Sequence, residues 1–207
     1  MAYSFMGLDE GVSKILGEAG FHLSRQGAIS LVSGVPVLIR LDTEKGFFAL
    51  GLSRNSSNIM IESLKISGLS IEAKKIRVAD DHVMVPLRWR VLRESTRDDA
   101  RKLLTFLEGT LPGIAHAPVP CSYCGFSEAS MAVIRDGKPQ AACIRCIENP
   151  EVANFVERGI SFEKYREGLA RFSKSLKIGF AISPLSLLPL VVSLKASSAA
   201  LYLLHMY

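Results

Sequence analysis

Cys121, Cys124, Cys143 and Cys146 are the only cysteines in the 207-residue chain, and they form two Cys-x-x-Cys pairs with 18 residues between them. The two-residue spacing lets both sulfurs of a pair turn toward one ion. Four thiolates at about 2.3 Å then complete a tetrahedral shell around Zn²⁺. A catalytic zinc keeps three protein ligands and one open position. Four thiolates close the shell, so the expected ion is a single structural zinc. Redox chemistry would need only one pair, and no thioredoxin-like βαβ pattern surrounds either. His116, five residues before Cys121, is surplus to a full shell. The opening MAYSFMGLDEG has neither a basic n-region nor a sustained apolar run. No secretory signal is read there, and the expected compartment is the reducing cytoplasm, where paired cysteines are metal ligands rather than disulfides.

The segment around these residues must fold them together. Gly125 relieves the tight turn after the first pair. Between the pairs, MAVIRDGKPQAAC reads as a hairpin turning at Asp136-Gly137. Beyond the second pair, Asn149 suits a helix N-cap and Pro150 the first helical position. Knuckle, hairpin, knuckle and helix predict a treble-clef finger over 121–158. The stretch CSYCGFSEASMAVIRDGKPQAACIRCIE resembles the C4-type zinc-binding domain at the N-terminus of the ClpX unfoldase. The likeness lies in the C-S-aromatic-C-G-x-S start, the apolar-then-glycine centre, the 18-residue gap and the C-x-x-C-Ile finish. It spans residues 118–150. The resemblance implies a dimerising treble clef that recruits substrates and adaptor proteins, with the four cysteines as ligands. The ATPase core of that family has no counterpart in this chain.

The rest reads as an α+β domain over 1–110, a β-meander or small barrel with a helix at each end. Leu8, Val12, Ile15, Leu16 and Ala19 fall at helical spacing. AISLV, PVLIRL and GFFALGL read as strands, and LSIEAKKIRV with HVMVPLRWRV as a hairpin around Ala79-Asp80-Asp81. Pro86 favours an edge strand, since it has no N–H to give a ladder. SNIMIESLKISG fits either a strand or one helical turn followed by a strand. Overlapping it, IESLKISGLSI is similar to a strand motif of PilZ-type cyclic-dinucleotide barrels, but the nucleotide-binding arginine pair and Asp/Asn-x-Ser-x-x-Gly pattern are absent. Thr96 and Asp99 resemble a capping box for a helix ending at Gly109. No phosphate loop or nucleophile motif occurs, and His22 and His82 are isolated, so an enzyme is not expected.

Residues 111–120 carry three prolines and read as an extended linker between domains. In a helix over 159–177, Phe162, Tyr165, Leu169, Phe172 and Leu176 form an a/d seam. Residues 178–207 are an apolar tail, uncharged over 178–194. Those seventeen residues reach the lower limit for a membrane span, so the expectations are membrane contact, burial against protein, or a disordered tail. The net charge of +5 invites a nucleic-acid partner. However, residues 1–112 carry 15 basic and 13 acidic side chains, 113–175 carry 8 and 7, and 176–207 carry 2 and 0. Such thin spreading weakens that reading. The likeness to the ClpX-type domain and the absence of a catalytic constellation point instead to a protein partner or homodimer, and hence to a non-enzymatic adaptor or scaffold. The rival reading is a zinc-finger nucleic-acid-binding regulator.

Overall fold

The computed structural model describes residues 10–41, 46–89, 94–114, 119–168 and 170–171. Its architecture is α+β. Helix α1 (Glu10–Glu18) leads into strands β1 (His22–Ser24), β2 (Gly27–Val32), β3 (Val35–Leu41) and β4 (Gly46–Leu50). Helix α2 (Arg54–Ile66) follows, then a single 3-10 turn (Ala73–Lys75), β5 (Arg77–Val78), β6 (Val83–Leu87) and α3 (Glu94–Ile114). The six strands form one antiparallel sheet in the order β1-β2-β3-β4-β6-β5. It is an open meander, not a barrel.

Side chains alternate across the pleat. Phe48 and Leu50 of β4 and Val83, Val85 and Leu87 of β6 are fully or nearly buried, as are Val12, Leu16, Met60, Leu64, Leu103 and Leu107 of the three helices. The helices therefore cover this face of the sheet. Hairpin β7 (Met131–Arg135) and β8 (Lys138–Ala142) covers part of the other, where Ile134 joins Ile29, Leu38 and Ala49 in one buried cluster.

Several expectations need correction. SNIMIESLKISG lies mostly within the 13-residue helix α2, begun by Ser53, whose side chain accepts from the Ser56 N–H. Its buried residues Ser57, Met60 and Leu64 share one helical face, which outweighs the strand-like look of its isoleucines. The PilZ-like strand motif is thus largely helical here. Helix α3 starts before Thr96, which is buried inside it, and runs through Gly109 to Ile114 with Pro112 in its last turn. The start of the expected linker over 111–120 is therefore helix. Most of LSIEAKKIRV is not strand: Arg77 and Val78 form the short strand paired with β6, and Ile71 makes an isolated bridge to Leu87. Nor is β6 at the edge. Pro86 is accommodated because its backbone points away from β4: its carbonyl accepts from the Glu72 N–H, beyond the end of short β5.

The hairpin expected within a 121–158 finger packs on the sheet expected within a 1–110 domain. The chain forms one compact unit over Tyr3–Phe162, because the hairpin between the cysteine pairs shares a core with the sheet. Residues 162–168 and 170–171 are helical. Leu169, Phe172 and Leu176 of the seam, and the apolar tail over 178–207, lie outside the described residues. No described helix is long and apolar enough to cross a membrane.

Candidate metal centre

The first knuckle is folded by its own backbone. Cys121 N–H donates to Ser127 O at 2.8 Å, and Gly125 N–H donates to Cys121 O at 2.8 Å. Gly125 has φ of 70°, a conformation glycine adopts without a Cβ penalty. Ser122 N–H and Ser130 N–H donate to Ala141 O and Ala142 O, tying the knuckle to β8 just before Cys143. The hairpin turns at Asp136-Gly137 as the sequence predicts, with both φ angles positive (52° and 75°), which suits the twist of a two-residue loop.

Cys143 is the N-cap of α4 (Ile144–Glu148), so Cys146 sits in the first turn of that helix. Asn149 then caps α5 (Pro150–Ala153), accepting from the Glu151 N–H at 3.0 Å, with Pro150 at the first position as expected. Beneath these elements Val133, Ala142 and Ile147 form a small core that Tyr123, Met131 and Val152 flank. Tyr123 donates from its hydroxyl to Gln140 at 2.7 Å, and Arg135 lies over its ring.

This frame brings all four cysteine sulfurs within 4.8 Å of one another. A tetrahedral tetrathiolate zinc site has sulfur–sulfur edges of about 3.8 Å. Cys124 Sγ and Cys143 Sγ are 3.9 Å apart, and all four cysteines are free thiols. The donor set and its spacing therefore fit a zinc ion. Cys121 and Cys143 are buried, whereas Cys124 and Cys146 are half-buried.

Their acidities differ. Burial pushes the Cys121 thiol up, but backbone N–H donors from Cys143, Cys124 and Tyr123 outweigh it and leave the thiol below its ordinary value. Backbone N–H groups of Ser127 and Phe126 draw Cys124 down to about 6. Burial, followed by the crowding of the other three sulfurs, pushes Cys146 up to about 12. One thiol is poised to ligate while another holds its proton until a cation arrives.

His116 lies outside the described residues, and His22 and His82 are not part of this cluster. His82 Nδ1 donates to Asp81 at 2.6 Å, an interaction that holds the Asp81 carboxyl below its usual range, and His22 is exposed at the sheet edge. The sequence reading missed Phe126 and Ile144. Each follows a knuckle cysteine closely, and they are 97% and 54% exposed. Apolar residues directly beside ligand positions, with no periodic pattern to bury them, were the available signal. No protein-family model, curated protein or solved structure matches the chain.

Proposed function

We propose that the chain is a zinc-stabilised, non-enzymatic interaction module, an adaptor or scaffold whose treble-clef finger docks a protein partner. The observation that carries this reading is the exposure of Phe126 and Ile144, one beside each knuckle of the cysteine cluster. Large apolar side chains held in water by a rigid frame are typical of docking surfaces. Phe155, 71% exposed just after α5, adds a third. A closed four-thiolate shell leaves the ion no position for substrate, so zinc acts here by fixing the two knuckles. The likeness to the C4 domain of ClpX supports a protein partner, a second copy of this chain included. A nucleic-acid-binding finger gains less support, because residues 121–158 carry four basic and five acidic side chains.

The test uses the full zinc-loaded chain beside a Phe126→Asp/Ile144→Asp variant, with light scattering for self-association and affinity capture from the native host. The expected result is a dimer or a defined captured protein in the wild type, lost in a variant that keeps one zinc and its thermal stability. A monomeric wild type that captures nothing, or a variant that behaves identically, would sink the proposal.

A further inference from the structure

The face of the sheet that carries the hairpin is only partly covered. Leu38 pairs with Ala49 and Ala49 with Met84, so these residues share that face, and Met84 pairs onward with Arg77. One step along, Arg40, Phe47 and Pro86 form a parallel row across β3, β4 and β6. The hairpin cluster includes Leu38 and Ala49 and reaches Phe47. Beyond it, Met84 and Pro86 stay half-exposed and Arg77 is exposed.

An open cleft of about 540 Å³ lies there, with Lys74 and Lys75 at its rim beside Arg77. The Arg40 guanidinium rests 5.8 Å from the centroid of the Phe47 ring. Glu72 pairs with Lys75 at 2.5 Å; Lys74 and Arg77 have no acidic partner among the described residues. The 3-10 turn and β5 thus set Lys74, Lys75 and Arg77 together on this cleft.

We propose that this shelf binds single-stranded nucleic acid, with phosphates on Lys74, Lys75 and Arg77 and base faces on Phe47, Met84 and Pro86. A flat apolar strip on a sheet, flanked on one side by cations, is the arrangement that accepts unpaired bases and their backbone together. A duplex hides its base faces and would leave the strip unused. An acidic peptide would satisfy the cations but leave the apolar row of Phe47, Met84 and Pro86 unused. The proposal is independent of the docking role given to the finger.

Fluorescence anisotropy of the full zinc-loaded chain with labelled oligouridine and oligothymidine of about 12 nucleotides tests it. Three phosphate contacts predict a salt slope of about −2, hence roughly a 20-fold loss of affinity between about 50 and 200 mM salt. Lys74→Glu/Arg77→Glu should weaken binding at least about tenfold. Lys14→Glu/Lys102→Glu, exposed on α1 and α3, should leave it unchanged, with circular dichroism confirming both folds. Three results would overturn the proposal: no saturable binding at low salt, an equal loss in the helix variant, or equal competition by polyglutamate, which would reassign the shelf to acidic protein segments. Zinc content and capture by the finger are measured separately, so neither result bears on the other.

Discussion

Cys124 and Cys146 hold equivalent places in their pairs yet face opposite electrostatics. Backbone N–H groups hold the first at about 6, whereas burial and neighbouring sulfurs push the second up to about 12. At pH 7 Cys124 is therefore largely thiolate and Cys146 is protonated. Zinc binds thiolates, so the ion must displace at least the Cys146 proton, and affinity must fall as pH falls. Titration calorimetry at pH 7 in two buffers of different ionisation enthalpy should show net proton release; identical heats would contradict this protonation pattern. Cys143→Ser should reduce bound zinc from one equivalent to none by elemental analysis, since Cys143 is both a proposed ligand and the cap of α4. A variant retaining full zinc would remove Cys143 from the site. A quieter residue is Ser57, whose hydroxyl is buried in the core face of α2 without a hydrogen-bond partner. Replacing it with alanine relieves that desolvation, so Ser57→Ala should stabilise the fold by about 1 kcal/mol in denaturant unfolding. Destabilisation would mean that the hydroxyl does bond in solution.

At the scale of elements the β7–β8 hairpin does two jobs. Ala132 and Ile134 pack toward the sheet, while Met131, Val133 and Ala142 pack toward α4 and its Ile147. A strand buried on both faces is sensitive to truncation on either. Ile134→Ala should cost about 2–4 kcal/mol, measured by chemical denaturation, whereas Phe126→Ala should cost almost nothing because its ring is in solvent. A small effect at Ile134 would mean that the hairpin only rests against the sheet. This layering explains what was legible beforehand. The cysteine cluster, the Asp136-Gly137 turn and the Asn149 cap are written in local spacing, and the structure brings the four sulfurs together. The meander, too, could be read from short alternating runs. Helix α2 could not, because Ile59 and Ile66 are exposed while Ser57 is buried, so its apolar pattern contradicts its real face. Thr96 and Gly109 misled for a related reason: each has the chemistry of a helix end but lies inside α3. The packing of Ile134 on Ile29, Leu38 and Ala49 joins positions some hundred residues apart, which no local pattern records.

For the molecule as a whole, the decisive contacts are those that follow the second cysteine pair. Glu157 and Ile134 exchange backbone hydrogen bonds at 2.8 and 2.9 Å, and three residues later Ile160 does the same with Leu23 of β1. The Glu157 carboxylate also accepts from the Arg25 N–H at 2.5 Å and from Gln26 Nε2 at 2.9 Å. The chain that follows the cysteine cluster is thus bonded to the hairpin and to the edge strand of the sheet. Loss of zinc would loosen the knuckles, and through them α4, the hairpin and the cover over Ile29, Leu38 and Ala49. Folding of the sheet and retention of the ion should accordingly be one cooperative event rather than two. Thermal unfolding of the full chain should show a single transition followed alike by far-ultraviolet dichroism and zinc release. Chelation should lower its midpoint by more than about 5 °C, since each kcal/mol moves a domain of this size by roughly 2–4 °C. Hydrogen exchange should find the β2 and β3 amides less protected after chelation, although they lie far from the ion in sequence. Two separate transitions, with sheet protection unchanged by chelation, would restore the two-module organisation that the proline-rich segment before Cys121 suggests. A single transition would make the metal centre part of the fold of the sheet.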